Sequence, residues 1–181
     1  MKALLMYYKN NNQEAKEMEL IKDIKENEYE EMVGKVYFNY VEDYIDLRFE
    51  KNIPMEYVYQ TAEKLNSIQE TLIDEICRYS IVFCKDVLER RSKMKEEVNN
   101  LNDPKGIFKY MQFDELVVNL PEDMSCYGIN LVGSCDWDEE NGIQWLIKED
   151  AVVYAGPWAD LNIWYSPYEE FLCNYVTMEN E

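Results

Sequence analysis

The chain has 181 residues, with 18 Lys plus Arg against 37 Asp plus Glu and no histidine, for a formal net charge of −19; 47% of it is hydrophobic and 14% aromatic. That apolar content supports a folded core in a chain of this length, so the acidity decorates a compact body and does not signal disorder. The shortage of cations argues against nucleic acid and anionic membranes as partners, and the lack of imidazole removes the hydrolase and zinc-site designs built on it.

The start, Met1-Lys2-Ala3-Leu4-Leu5-Met6, runs into Asn10-Asn11-Asn12 where a signal peptide would continue its apolar core, so no such peptide is expected. Residues 13–33 mix Lys and Glu around Met18, Leu20, Ile21 and Ile24, a loose helical stripe, and Gly34 punctuates. Residues 1–34 are therefore expected as an N-terminal extension with a short helix or strand. A single α+β domain over 35–181 follows, the whole forming one compact unit. Residues 36–41 and 44–49 are rich in β-branched and aromatic side chains and are parted by Glu42-Asp43, which predicts a hairpin.

Pro54 suits the first turn of a helix carrying Tyr57, Thr61 and Leu65. Ser67-Ile68-Gln69-Glu70 matches a capping box and predicts a second helix starting there. Ile68, Leu72, Ile76, Tyr79, Phe83 and Val87 then recur at steps of three or four, the helical period held over five turns. Residues 90–102 are polar and end at a turn, Asp103-Pro104-Lys105-Gly106. Strands are expected at 115–120, 127–135, 143–147 and 151–155, and Asn141-Gly142 predicts a type I′ hairpin with positive φ at both residues. The order ββ, αα, then about four antiparallel strands argues for an α+β fold with the helices on one face of the sheet.

Five scattered cysteines without a C-x-x-C pair read as reduced thiols of a cytoplasmic protein. Cys77 and Cys84 share a helix face but stand about 10 Å apart along it, too far for a disulfide. No apolar run approaches the eighteen or so residues that cross a bilayer.

Charge is distributed unevenly. Residues 1–109 hold 17 Lys plus Arg against 22 Asp plus Glu, a net of −5, whereas residues 110–181 hold Lys148 alone against 15 acids, a net of −14. A one-signed surface on the strand-rich half would steer basic proteins toward it. Its most distinctive stretch is Cys135-Asp136-Trp137-Asp138-Glu139-Glu140-Asn141-Gly142, where Asp136, Asp138, Glu139 and Glu140 ring Trp137, a composition favoured at interface hot spots. The same carboxylates could hold a hard cation or serve acid–base chemistry, although the spacing does not match an EF-hand.

The C-terminal aromatics Trp158, Trp164, Tyr165 and Tyr168 lie among Asp160, Glu169 and Glu170. They could anchor a partner, or fold back over a sheet face or edge, with Phe171, Leu172 and Tyr175 continuing the docking pattern and 178–181 fraying.

The run from Tyr127-Gly128-Ile129 to Cys135-Asp136-Trp137-Asp138-Glu139-Glu140-Asn141-Gly142, after the helix reading Leu72-Ile73-Asp74-Glu75-Ile76-Cys77, resembles small bacterial domains of unknown function with a C-x-W-D-E-E-H-G motif. Asn141 stands where that pattern more often has His, and the resemblance spans residues 35–156. Such domains are similar to immunity-like proteins of polymorphic toxin systems, and the resemblance implies a cytoplasmic bacterial protein that neutralises a toxin. The expected function is therefore that of a non-enzymatic acidic binding protein docking a basic protein such as a toxin nuclease. No cofactor or metal is required, and Asp136, Trp137, Asp138, Glu139, Glu140, Trp158, Asp160 and Trp164 form the contact. The alternatives are a carboxylate- or metal-dependent hydrolase centred on the acidic turn and a self-associating scaffold that uses the aromatic C-terminus.

Overall fold

A computed structural model describes residues 19–88, 93–170 and 173–178. Seven strands, β1 (Ile21–Glu26), β2 (Glu31–Phe38), β3 (Asp43–Glu50), β4 (Met111–Val118), β5 (Gly128–Cys135), β6 (Ile143–Lys148) and β7 (Ala151–Pro157), form one sheet in sequential order. Every neighbouring pair is antiparallel except β3 and β4, which run parallel from Asp46↔Glu115 to Phe49↔Val118. A parallel pair needs a long crossover. Here it holds α1 (Met55–Asn66), α2 (Glu70–Val87), α3 (Lys93–Asn99) and a 3-10 segment (Pro104–Lys109). A short α4 (Tyr175–Met178) follows the sheet.

Strand alternation explains the core. Ile45, Leu47 and Phe49 of β3 are buried while Asp43, Asp46 and Glu50 are exposed, and β5 and β6 send Leu131, Ile143, Trp145 and Ile147 to the same buried layer. Helix α1 adds Tyr57, Val58, Ala62 and Leu65. The expected α2 stripe is rotated: Val87 is exposed, and Ile73, Cys77, Ser80 and Cys84 face inward beside Leu72, Ile76 and Phe83. Small residues on that face let the helix sit close enough for the Trp145 indole N–H to donate to Ser80 Oγ at 3.0 Å. Cys77, Cys84 and Cys135 are buried free thiols, Cys126 is half-buried and Cys173 exposed. Burial pushes the Cys77 thiol up to about 12, Cys84 to about 11 and Cys135 to about 12, so all three stay protonated.

Several expectations change. Of the short helix or strand expected before residue 34, residues 21–26 form the strand, and the boundary drawn after residue 34 falls inside β2, so this part of the expected extension belongs to the sheet. Gly34 is a mid-strand residue; a Cβ there would lie 2.9 Å from Lys22 O, across the bulge between Lys22 and Lys25. Residues 1–18, with Met18 and the chain start, lie outside the described residues, as do Phe171, Leu172 and 179–181. The capping box does not form: Ser67 closes α1, its N–H and Oγ both bonding to Lys64 O, and Gln69 precedes α2 without a side-chain cap. With so few residues between the helices, Ser67 is used up by the end of the first.

The sheet's second face is covered beyond β4. Leu161, Ile163 and Tyr168 pack with Leu146 and Tyr154 in a separate cluster, so the aromatic segment after β7 folds back over β5–β7. Buried amides fasten it. Gln144 donates to Asn130 Oδ1 and Leu161 O and accepts from the Leu161 and Ala159 N–H groups, and Asn130 donates to Asn119 Oδ1 and Leu161 O. Asn174 bonds to the carbonyl of Val153 and the N–H of Ala155 as a neighbouring strand would, occupying the free edge of β7. Among the described residues no helix is long and apolar enough to cross a membrane.

Candidate functional site

The acidic turn is a seven-residue loop, because β5 ends at Cys135, β6 begins at Ile143 and the last pair is Gly133↔Ile143. It is not the two-residue type I′ turn expected. Gly142 has φ 71°, whereas Asn141 is not in the left-handed region. A Cβ at Gly142 would lie 2.5 Å from Gly133 O, so the position demands glycine twice over. Asp138 builds the loop: its carboxylate accepts from Asn141 N–H and Nδ2 and its carbonyl from Gly142 N–H. Asp136 donates its N–H to Tyr110 O, which ties the loop to the start of β4.

Trp137 corrects the expected exposed anchor. It is 5% exposed and packs edge-on against Phe83 of α2, with ring centroids 5.8 Å apart. Its indole N–H is buried without a hydrogen-bond partner. The ring lies inward because the apolar alternation of β5, ending at buried Cys135, continues through the first turn of the loop. Asp136, Glu139 and Glu140 remain exposed, and among the described residues none of them forms an ion pair.

The other expected residues lie along the covering segment. Trp158 is 43% exposed and follows Pro157, which pairs with Ile143, so it stands at the same end of the sheet as the acidic loop. Trp164 sits at the opposite end, half-buried, donating Nε1–H to Asn119 O beneath the Lys148 ammonium. Asp160, with φ 50°, is exposed 3.9 Å from Arg48. The structure therefore groups Trp158 with the loop and separates Trp164 from it.

Arg48 organises the middle of this face. It forks the Glu115 carboxylate on β4 and bonds Glu31 on β2. Partial burial works against its charge, but the Glu115 and Glu31 carboxylates prevail and hold its pKa above the ordinary value. For Glu31, the hydrogen bond from Asn27 is the main cause of a lowered pKa, with burial opposing and Arg48 assisting.

A groove went unread in the sequence. β3 and β4 pair only from Asp46 and Glu115 onward, and their preceding ends part around an open cavity of about 750 Å³. Tyr40, Phe108 and Phe113 line it, as do Asp43, Asp46 and Asp114. No local pattern marks a parallel pairing between strands more than sixty residues apart, so nothing in the sequence announces this groove.

The strand-rich half does not present one acidic face. Asp114, Asp136, Asp138, Glu139 and Glu140 lie where β4 and β6 begin, whereas Glu122, Asp123, Glu149 and Asp150 lie in the connections at the opposite end of the sheet. The first end also carries Glu42 of the β2–β3 connection and Asp43, the first residue of β3. Among the described residues no three Cys, Asp or Glu side chains converge to hold a metal ion.

The profile of a family described as a domain of unknown function, DUF6985, matches residues 20–163. No curated protein and no solved structure matches the chain. The chain belongs to the DUF6985 family.

Proposed function

We propose that this DUF6985 chain is a non-enzymatic acidic binding protein that docks a basic protein, in the manner of an immunity protein neutralising a basic toxin in the bacterial cytoplasm. The observation that carries the reading is the end of the sheet where β4 and β6 begin. There Asp136, Glu139 and Glu140 are exposed and unpaired among the described residues, and Asp43 and Asp114 flank the adjoining groove. Lys35, which lines the groove, is already bound to Asp46, and Lys109 precedes Tyr110, whose carbonyl accepts from the Asp136 N–H. Such a cluster speeds encounter with a cationic surface by long-range attraction and repels acidic ones. Trp158, half-exposed beside the loop, takes the anchoring role that Trp137 cannot fill.

The test is capture from the native host at low and high salt, with the full chain and with D136N/E139Q/E140Q as bait. Asp138 is left intact because it builds the loop. A basic protein recovered at low salt, and reduced by both salt and the triple variant, supports the reading. Recovery of no basic protein, or recovery indifferent to salt and to the variant, overturns it.

A further inference from the structure

We infer that the groove between the parting ends of β3 and β4 receives an arginine side chain of the partner protein. This rests on the binding reading above and specifies the chemistry of its anchor.

The groove exists because each strand is tied elsewhere along this stretch. Asp43–Ile45 pair only with β2, and Met111–Phe113 only with β5. The β4–β5 register then shifts between Phe113 and Glu115, which places Asp114 at the irregularity and on the groove wall. The aromatic lining is continuous. Phe108 and Phe113 rings lie 5.4 Å apart, Tyr40 lies 5.5 Å from Phe108 and 6.2 Å from Phe113, and Phe38 backs Phe113 at 5.5 Å. An alkyl stem laid on these rings would leave water.

The walls have the opposite chemistry. β3 contributes Asp43 and Asp46, and β4 contributes Asp114. The one cation lining the groove, Lys35, is bound to Asp46 at 2.6 Å, so Asp43 and Asp114 face each other's strand without a cationic partner among the described residues. Their carboxylates are already oriented, Asp43 by the Tyr44 N–H and Asp114 by the Gln112 amide. An aliphatic occupant would strip water from two carboxylates and return nothing, and an acidic one would be repelled. A basic occupant is the one whose charge complements the walls. Arginine is favoured over lysine because its planar guanidinium stacks on aromatic faces and presents several fixed donors to carboxylates on both sides, which a compact ammonium cannot do.

The experiment is an NMR titration of the full chain at low salt with N-acetyl-arginine N-methylamide, alongside its citrulline and lysine counterparts. Saturable shifts at Tyr40, Phe108, Phe113 and Asp114, absent with neutral citrulline and weaker with lysine, are expected. D43N/D114N should raise the apparent Kd about tenfold or more, the scale of one good charge-assisted contact. Shifts confined to residues 136–140, equal response to citrulline or lysine, or an unchanged Kd in D43N/D114N would overturn the inference. The citrulline comparison needs no variant, so it decides the matter even if D43N/D114N fails to fold. If the probe misses the groove while a basic protein is still captured in a salt-sensitive way, this inference falls and the binding reading stands. If the probe fills the groove and no basic protein is captured, the binding reading falls and takes with it the assignment of the arginine to a partner protein, while the groove's preference for a guanidinium stands.

Discussion

Replacing Gln144 with Leu tests what holds the covering segment on the sheet. Gln144 is 1% exposed and its amide makes four hydrogen bonds, two donated and two accepted. Leu has a similar volume, so Q144L removes the amide with little cavity. Leu161 O keeps the bond from Asn130, and Ala159 N–H is near solvent, but Asn130 Oδ1 and Leu161 N–H are left buried and unpaired. At about 1–3 kcal/mol for each orphaned group, the cost is about 2–6 kcal/mol. The segment is held chiefly by burial of Leu161, Ile163 and Tyr168, which at about 1.5–3 kcal/mol per side chain is of similar size. Residues 157–170 should therefore open locally before the helical side of the sheet is disturbed. Hydrogen exchange should show lost protection at Leu161 and Ile163 with α2 unchanged, and limited proteolysis should cut within 157–170. If the transition stays cooperative, Tm should fall by about 5–20 °C. Exchange and Tm indistinguishable from the parent chain would refute the assignment of these amides as the fastening.

The two buried indoles make a matched pair. S80A orphans the Trp145 N–H and should cost about 1–3 kcal/mol in urea unfolding, offset by roughly 0.5 kcal/mol of helix propensity, whereas W137F removes an N–H that has no partner and should cost clearly less than W137A. G142A must strain a left-handed residue and push against Gly133 O, so a loss of about 1–3 kcal/mol is expected, with amide shifts concentrated in 136–142. The thiols give a pH prediction. Cys77, Cys84 and Cys135 have folded values raised above an ordinary 9.0, so their contribution to stability is complete below about pH 9 and is lost as pH climbs toward 11 to 12. Denaturation midpoints measured across that range should decline, and a thiol reagent on the native chain should modify Cys173 quickly, Cys126 slowly and the buried three only after unfolding.

Legibility followed the range of the interaction. Helix α2 and strands β5 and β6 are visible in the sequence because their apolar period is local and unbroken. β1, expected only as a short helix or strand, and the start of β4 carry weak strand signals for a shared reason: register shifts at Lys22–Lys25 and Phe113–Glu115 break the alternation that marks a strand. The acidic loop was recognisable as a turn, yet Asp138 proved to be its scaffold and Trp137 part of the core, while Trp158 kept its exposure.

The amino-acid sequence alone determined an α+β class, an excess of carboxylates concentrated after residue 109, and the absence of imidazole, since these depend on composition and short-range pattern. Tertiary structure decided which carboxylates share a surface, that the later ones divide between two ends of the sheet, and that β3 and β4 part to form a groove. Those outcomes depend on pairing between segments separated by a long crossover, and the free energy of such pairing is realised only when the intervening helices pack.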